Sequence, residues 1–293
     1  MYPRPFAYLR AESVEHAAAT LAEHRGEAMI LAGGATIIPL MKYRLRSPRL
    51  LVDIGGLADE LRFVEETPDG HVRVGALVRH ADAEDDPVMR AQPLLAEVAA
   101  TIADRQVRNM GTVAGGVCAV EPTGDWVPAF LALRGTVMAQ SPRGRREIPS
   151  DQFVVGAHTS ALEPDEVVTE VRFPVEGPRS GSAHEKLTIR ANAGIVNCSA
   201  AVTVDDEGAI SSVGIAVGAL RPHPIRATVA EELLTGSRLE GDLLDRVARD
   251  ALDGVDAVSD ARGSGDHRRA AAMVMLKRAV ARAYAGAVAA VTP

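Results

Sequence analysis

Two glycine-rich segments, far apart in the chain, constrain it more than any other feature of its sequence. The first reads Leu31-Ala32-Gly33-Gly34-Ala35-Thr36 and the second Gly111-Thr112-Val113-Ala114-Gly115-Gly116. In each, small residues follow or interrupt an apolar run, and a hydroxyl sits beside the glycines. Paired glycines let the backbone approach a ligand closely and leave N–H groups free to point at an anion. Two such loops can hold the two ends of a diphosphate, so an extended dinucleotide is the first ligand to consider. A single glycine pair reads equally well as a tight strand-to-helix turn with no ligand.

Other nucleotide signatures are missing. No Gly-x-Gly-x-x-Gly joins a strand to a helix, and no Gly-Lys-Ser/Thr occurs, so neither a Rossmann site nor a phosphate loop is expected. The 293 residues suffice for one large domain or two modest ones, and 47% hydrophobic with 24% charged residues is ordinary for a soluble protein. A net charge of −7 argues against a nucleic-acid coat. The longest uncharged stretches, such as 28–41 and 191–204, contain Gly or Asn and fall short of the ~20 apolar residues of a membrane span. The start, Met1-Tyr2-Pro3-Arg4-Pro5, lacks an apolar leader, and the two cysteines, Cys118 and Cys198, give no disulfide framework. A reducing cytoplasm is the expected setting. Two thiols also cannot ligate an iron–sulfur cluster, which ordinarily takes about four.

Periodicity predicts a helix over 13–24 capped by Ser13, a strand over 28–32 and a helix over 36–44 with Pro39 in its first turn. A second strand is expected over 50–54. Further strands are predicted over 61–65, 71–77, 135–139 and 166–173, and helices over 94–103 and 125–133, with the second glycine loop between those two helices. Residues 175–182, rich in Pro, Gly and Ser, read as a linker. Strands over 184–190, 196–204 and 209–218 follow, the last two flanking the turn Asp205-Asp206-Glu207-Gly208. Helices over 225–235, 240–255 and 266–290 close the chain.

Conventional catalytic groups are scarce. The eight histidines are scattered without His-x-x-x-His spacing, and there is no Gly-x-Ser-x-Gly elbow. Arg105 and Arg108 read either as phosphate partners or as an internal ion pair or backbone clamp. Asp125 reads either as a helix N-cap or as a carboxylate for sugar hydroxyls. The acidic run Asp82, Glu84, Asp85, Asp86 suits a solvated loop better than a metal site. Cys118 suits a small packing residue better than a reactive thiol.

With their neighbours, the two loops resemble the FAD-binding medium subunit of the molybdenum hydroxylases, the family of carbon monoxide dehydrogenase and xanthine dehydrogenase. Ala32 to Thr36, Pro39-Leu40-Met41-Lys42, Arg44-Leu45 and Leu51-Val52-Asp53-Ile54 follow the family's opening. Gln106-Val107-Arg108-Asn109, Gly111-Thr112, Gly115, Glu121-Pro122 and Asp125 are similar to its second signature. Glu185-Lys186, Gly236, Arg262-Gly263-Ser264 and Arg268-Arg269 resemble its remainder.

The resemblance implies an α+β fold: a two-lobed, PCMH-like FAD-binding region over 1–175, with lobes about 1–55 and 56–175, and a C-terminal domain of a small antiparallel sheet with helices over 183–293. It implies FAD extended with its diphosphate against both loops. Contacts would come from Ile30, Leu31, Ala32, Gly33, Gly34, Ala35, Thr36 and Ile37, then from Thr112, Ala114, Gly115 and Gly116. Ile102 would lie beside the adenine half, Asp125 on ribose or ribityl hydroxyls and Val168 against the cofactor. Lys186 would sit at the isoalloxazine edge, where a cation favours negative charge on the ring. No catalytic residue and no metal ligand is implied.

Implied partners are a molybdopterin-binding large subunit and a 2Fe-2S small subunit, with NAD+, quinone or oxygen as electron acceptor. A non-redox dinucleotide-binding module and a free-standing FAD-dependent oxidoreductase are the alternatives. The chain departs from the family pattern at Ala35-Thr36, at Ala114-Gly115-Gly116 and at Ala119-Val120-Glu121-Pro122. It also has no aromatic residue in Ala191-Asn192-Ala193-Gly194-Ile195, where relatives often place one against the flavin; either Ile195 covers the ring instead or that face is more open to an electron acceptor.

Overall fold

The computed structural model describes residues 2–189 and 194–290. Ala7–Arg10, Leu50–Asp53 and Ala28–Leu31, in that spatial order, form a parallel three-stranded sheet. The helix Val14–Glu23 packs against it, burying Val14, Ala17, Ala18 and Leu21 at helical spacing. Ser13 caps this helix by accepting the His16 N–H at 3.1 Å. Ala28–Leu31 runs into the first glycine bend, and the short helix Ile37–Lys42 leaves it with Pro39 near its start.

The second lobe is built on an antiparallel sheet of five strands in the order Val64–Glu66, His71–Gly75, Val167–Pro174, Thr136–Ser141, Gly144–Pro149. Helices fill the long connection across its middle: His80–Asp85, Pro87–Arg90, Pro93–Thr101, Arg105–Arg108, Val113–Cys118 and Trp126–Ala132. Val167–Pro174 carries a bulge at Val168/Glu170, which re-aims the strand beside the glycine bends.

The C-terminal region is a four-stranded antiparallel sheet, Ser180–Thr188, Gly194–Val204, Ile210–Gly218 and Ile225–Arg226. The helix Gly265–Ala289 lies across it so closely that a Cβ on Gly181 would sit 2.3 Å from the Ala283 carbonyl oxygen. The Asp205 side chain closes the hairpin by accepting the amides of Glu207 and Ala209, both at 2.9 Å.

Trp126–Ala132 is the seam of the molecule, with every residue buried. On one side Phe130 meets Phe153 and Phe173 edge-on, with centroids 5.7 and 6.3 Å away. On the other its backbone rests on the C-terminal sheet, where a Cβ on Gly214 would fall 2.0 Å from the Ala132 carbonyl oxygen. A glycine is therefore required at this strand position by close approach, not by its dihedral angles.

Several expected elements differ. Leu61 ends the helix Ala58–Leu61, so the strand there is only Val64–Glu66. The expected linker is strand from Ser180 onward, and Ile225–Arg226 pairs with Ala216 and Val217 before the helix Thr228–Leu234 begins. The acidic run lies on helices, not in a loop, with Asp82 bonded to Arg62 and Asp86 capping Pro87–Arg90. The second glycine loop is not a loop beyond Thr112. Gly115 and Gly116 lie within the helix Val113–Cys118.

Replacing Gly214 by Ala forces a methyl into the Ala132 carbonyl and is expected to cost about 1–3 kcal/mol, as overpacked sites do. Urea denaturation of the two proteins checks this; an unmoved midpoint would count against the seam as described.

Candidate functional site

The two glycine segments meet. A Cβ on Gly33 would lie 2.1 Å from the Met110 carbonyl oxygen and 2.8 Å from Gly111 Cα, so the first bend presses backbone to backbone on the second. Gly34 has φ +71°, a left-handed conformation that favours glycine. Among the described residues, the amides of Gly33, Gly34, Ala35 and Thr36 donate to no protein acceptor, nor do those of Thr112 and Ala114. Unpaired amides converging on one place form an anion cradle. Thr112 rigidifies the second side of it: its Oγ1 accepts the Gly115 N–H at 3.0 Å and caps the helix.

Two adjoining cavities open from this junction and share Ala35, Thr36, His80, Gly116 and Ala119 in their walls. One, of about 280 Å³, is lined by the bends and by apolar side chains that include Ile30, Leu40, Ile54, Leu162 and Val168. Arg46 stands at it and reaches across from the first lobe to the second, donating to the His158 carbonyl at 3.2 Å. The other, of about 320 Å³, is polar only in that its largely apolar walls, Ile102 among them, carry the charged side chains Glu121, Asp125, Lys186 and Arg262. An apolar chamber and a polar chamber flanking an anion cradle suit a ligand with two dissimilar ends and a charged middle.

A buried charge pair forms one wall of the polar chamber. Lys186 Nζ donates to Asp125 Oδ2 at 2.6 Å, and both side chains are almost fully buried. Asn197 Nδ2 donates to Asp125 Oδ1 at 2.7 Å, and His184 Nε2 lies 3.5 Å from that oxygen. Burial raises the Asp125 pKa, but His184 and Lys186 outweigh it and hold the carboxyl below its usual range. Asp125 precedes the helix Trp126–Ala132 without making a side-chain cap bond. Its carboxylate binds across to the C-terminal sheet instead.

At the waist between the chambers sits His80. Its Nδ1 accepts the Trp126 indole N–H at 3.1 Å, and burial pushes its pKa down to about 4. Cys118 also lines the apolar chamber, and burial raises its thiol to about 12, so it carries no thiolate at neutral pH.

Of the residues expected at the site, Ile30, Ala32, Gly33, Gly34, Ala35, Thr36, Ile37, Thr112, Ala114, Gly115, Gly116 and Val168 line the apolar chamber. Ile102, Asp125 and Lys186 line the polar one. Leu31 and Ile195 line neither. Leu31 ends its strand, and Ile195 is buried in the C-terminal core with its carbonyl accepting from Arg268 at 2.6 Å. The aromatic-free positions 191–193 lie outside the described residues.

Arg108 takes the ion-pair and clamp role, bonding Glu84 and the Ile102 carbonyl at 3.0 and 3.1 Å. Lys186 is not a free cation, because Asp125 neutralises it. The glycines also work differently from expectation: the room beside Gly33 is filled by the Met110 backbone, not left for a ligand. His80, Arg46 and Asn197 were not expected. Their partners lie 46, 112 and 72 residues away, a separation that leaves no local pattern to read.

Residues 4–176 match the FAD binding domain in molybdopterin dehydrogenase, and residues 186–283 match the CO dehydrogenase flavoprotein C-terminal domain. The chain belongs to the FAD-binding medium subunits of the molybdenum hydroxylases. It is similar to the 6-hydroxypseudooxynicotine dehydrogenase complex subunit alpha of Paenarthrobacter nicotinovorans, 34% identical over 97% of this chain and 96% of the relative. The carbon monoxide dehydrogenase medium chain of Hydrogenophaga pseudoflava is 33% identical, over 97% of this chain and 99% of that one. A solved carbon monoxide dehydrogenase from the same organism, lacking the Mo-pyranopterin moiety of its cofactor, superposes with a TM-score of 0.93 at 34% identity, covering 98% and 99% of the two chains. FAD is the cofactor of this family's domain, and the cradle described above fits its diphosphate.

Two outcomes follow from the buried charges. Asp125→Asn leaves Lys186 charged, buried and unpaired, and is expected to cost about 3–5 kcal/mol in denaturant melts. His80 is neutral when folded but titrates near 6.5 when unfolded. Its contribution is therefore present above that pH and is lost as pH falls from 6.5 toward 4, by up to about 3 kcal/mol. Stability measured across that window should slope in the wild type and lie flatter in His80→Gln; parallel slopes would refute the assignment.

Proposed function

We propose that this chain is the electron-transfer flavoprotein of a molybdenum hydroxylase complex, holding FAD extended across the two glycine bends. One observation carries the reading: residues with unpaired main-chain amides, drawn from two distant segments, line one cavity where it adjoins a second with charged side chains in its wall. The cofactor domain in this reading is residues 1–175 and the second domain residues 183–293. When bound, FAD supplies a centre that exchanges electrons with one-electron carriers and with two-electron acceptors.

The protein's own part is binding, orientation and electrostatics. Gly33, Gly34, Ala35 and Thr36 present amides to one side of the diphosphate, Thr112 and Ala114 to the other. Ile30, Ile37 and Val168 supply apolar wall, and Ile102 lines the far chamber. The Asp125–Lys186 pair gives that chamber a fixed dipole while adding no net charge. Lys186 Nζ also donates to the Thr101 carbonyl at 3.4 Å, which leaves one donor to meet a ring carbonyl or ribityl hydroxyl.

With two cysteines the chain holds no four-cysteine cluster of its own, and in this reading electrons arrive from a 2Fe-2S small subunit fed by a molybdopterin-binding large subunit. Multi-subunit relatives support that arrangement. NAD+, quinone or oxygen would receive the electrons in the cytoplasm. Among the described residues no helix is long and apolar enough to cross a membrane, and no cluster of side chains is set up for a metal.

The full chain, purified and supplied with FAD, is expected to show a bound flavin spectrum that bleaches when the reduced 2Fe-2S partner is added. A chain that takes up no FAD, or that holds FAD the partner cannot reduce, would overturn the proposal.

A further inference from the structure

The glycines of the second segment make room for two side chains that no expected contact stretch includes. A Cβ on Gly111 would lie 2.8 Å from His80 Nε2 and 3.0 Å from its Cδ2. One on Gly116 would lie 2.7 Å from Trp126 Cδ1 and 3.6 Å from His80 Cε1. The Cε1–Nε2–Cδ2 edge of His80 therefore looks toward Gly111 and Gly116, both of them cavity walls. The two rings stack with centroids 6.1 Å apart and planes 22° from parallel.

The tautomer follows from the partner. An indole N–H only donates, so the His80 Nδ1 that receives it at 3.1 Å carries a lone pair. The ring hydrogen is then on Nε2. Among the described residues Nε2 has no protein acceptor, while the His80 backbone N–H is tied to the Gly111 carbonyl at 3.0 Å. A buried imidazole that lines both cavities and keeps one donor without an acceptor among the described residues is poised to serve a ligand.

We propose that His80 is a phosphate-binding residue of this site: its Nε2–H, fixed in that tautomer by Trp126, donates to the diphosphate where the two chambers join. The assignment rests on the FAD reading above and extends it to a side chain. The location selects phosphate over the ring systems. His80 lines both chambers together with Ala35, Thr36 and Gly116, and Thr36 and Thr112, whose amides have no protein acceptor among the described residues, line the apolar chamber beside it. Being neutral, the ring adds a directed donor without placing another buried cation beside Arg108 and Lys186.

The test uses the full-length chain stripped of flavin and titrated with FAD, FMN and riboflavin, with binding read by flavin fluorescence. His80→Phe keeps the ring volume and removes the donor. It is expected to weaken FAD about ten- to hundredfold, the loss of a hydrogen bond to a charged group, and to leave riboflavin within about twofold. His80→Gln, which retains both a donor and an acceptor for Trp126, should recover most of that loss. Wild-type FAD affinity in His80→Phe would overturn the assignment, as would equal losses for FAD and riboflavin, which would mark His80 as a packing residue only. A wild-type chain that binds no FAD would instead overturn the proposed function beneath it.

Discussion

The carbonyl of Met110 against the bare Cα of Gly33 is the contact on which the rest of the molecule depends. It brings two bends from different sheets within backbone distance, which no pair of side-chain-bearing residues allows. Once they touch, their unpaired amides converge, and the spaces on either side become chambers with a common waist. The approach is local, and the helix Val14–Glu23, which packs on strands of both the parallel and the antiparallel sheet, ties the two together beside it. Its energetic logic is that of buried backbone: polar groups withdrawn from water need partners, and those at the junction have none among the described residues, which leaves them for a ligand.

Charge is arranged around that junction with unusual economy. Lys186 and Asp125 neutralise each other inside the wall, and Asn197 completes the carboxylate's partners. His80 stays neutral because burial outweighs the nearby Asp125 carboxylate. Arg108 is drawn away by Glu84. An anion entering this site meets dipoles and N–H groups together with Arg46, which stands at the apolar chamber bonded to a carbonyl and, among the described residues, to no carboxylate.

Much of the scaffold was legible because its signals are local. Ser13 before an apolar 3.6-residue pattern, the glycine bend after Ala28–Leu31, and the Asp-Asp-Glu-Gly turn between alternating strands each act within a few residues. The short helices were not. Val113–Cys118 contains two adjacent glycines, against which intrinsic propensity weighs by about 1 kcal/mol each. It forms because Thr112 caps it and because only hydrogen at Gly116 leaves space for Trp126. The positions of the bends in the site were readable from the glycine spacing and the family pattern. The pairings Asp125–Lys186, His80–Trp126 and Arg46–His158 were not, since each joins residues that only tertiary packing makes neighbours. The burial of Ile195 in the C-terminal core was not legible either: an apolar residue near a ligand and an apolar residue in a core look alike in sequence.

The wholly buried helix Trp126–Ala132 has a mechanical consequence. It begins at the carboxylate that lines the polar chamber and ends on the carbonyl that seats the C-terminal sheet. That sheet in turn supplies both Lys186 and Asn197 to the same carboxylate. Chamber wall and sheet thus form one closed loop of rigid links, so the C-terminal region cannot tilt without dragging the polar chamber's wall along. Any neighbour that grips this sheet would hold a lever on that chamber.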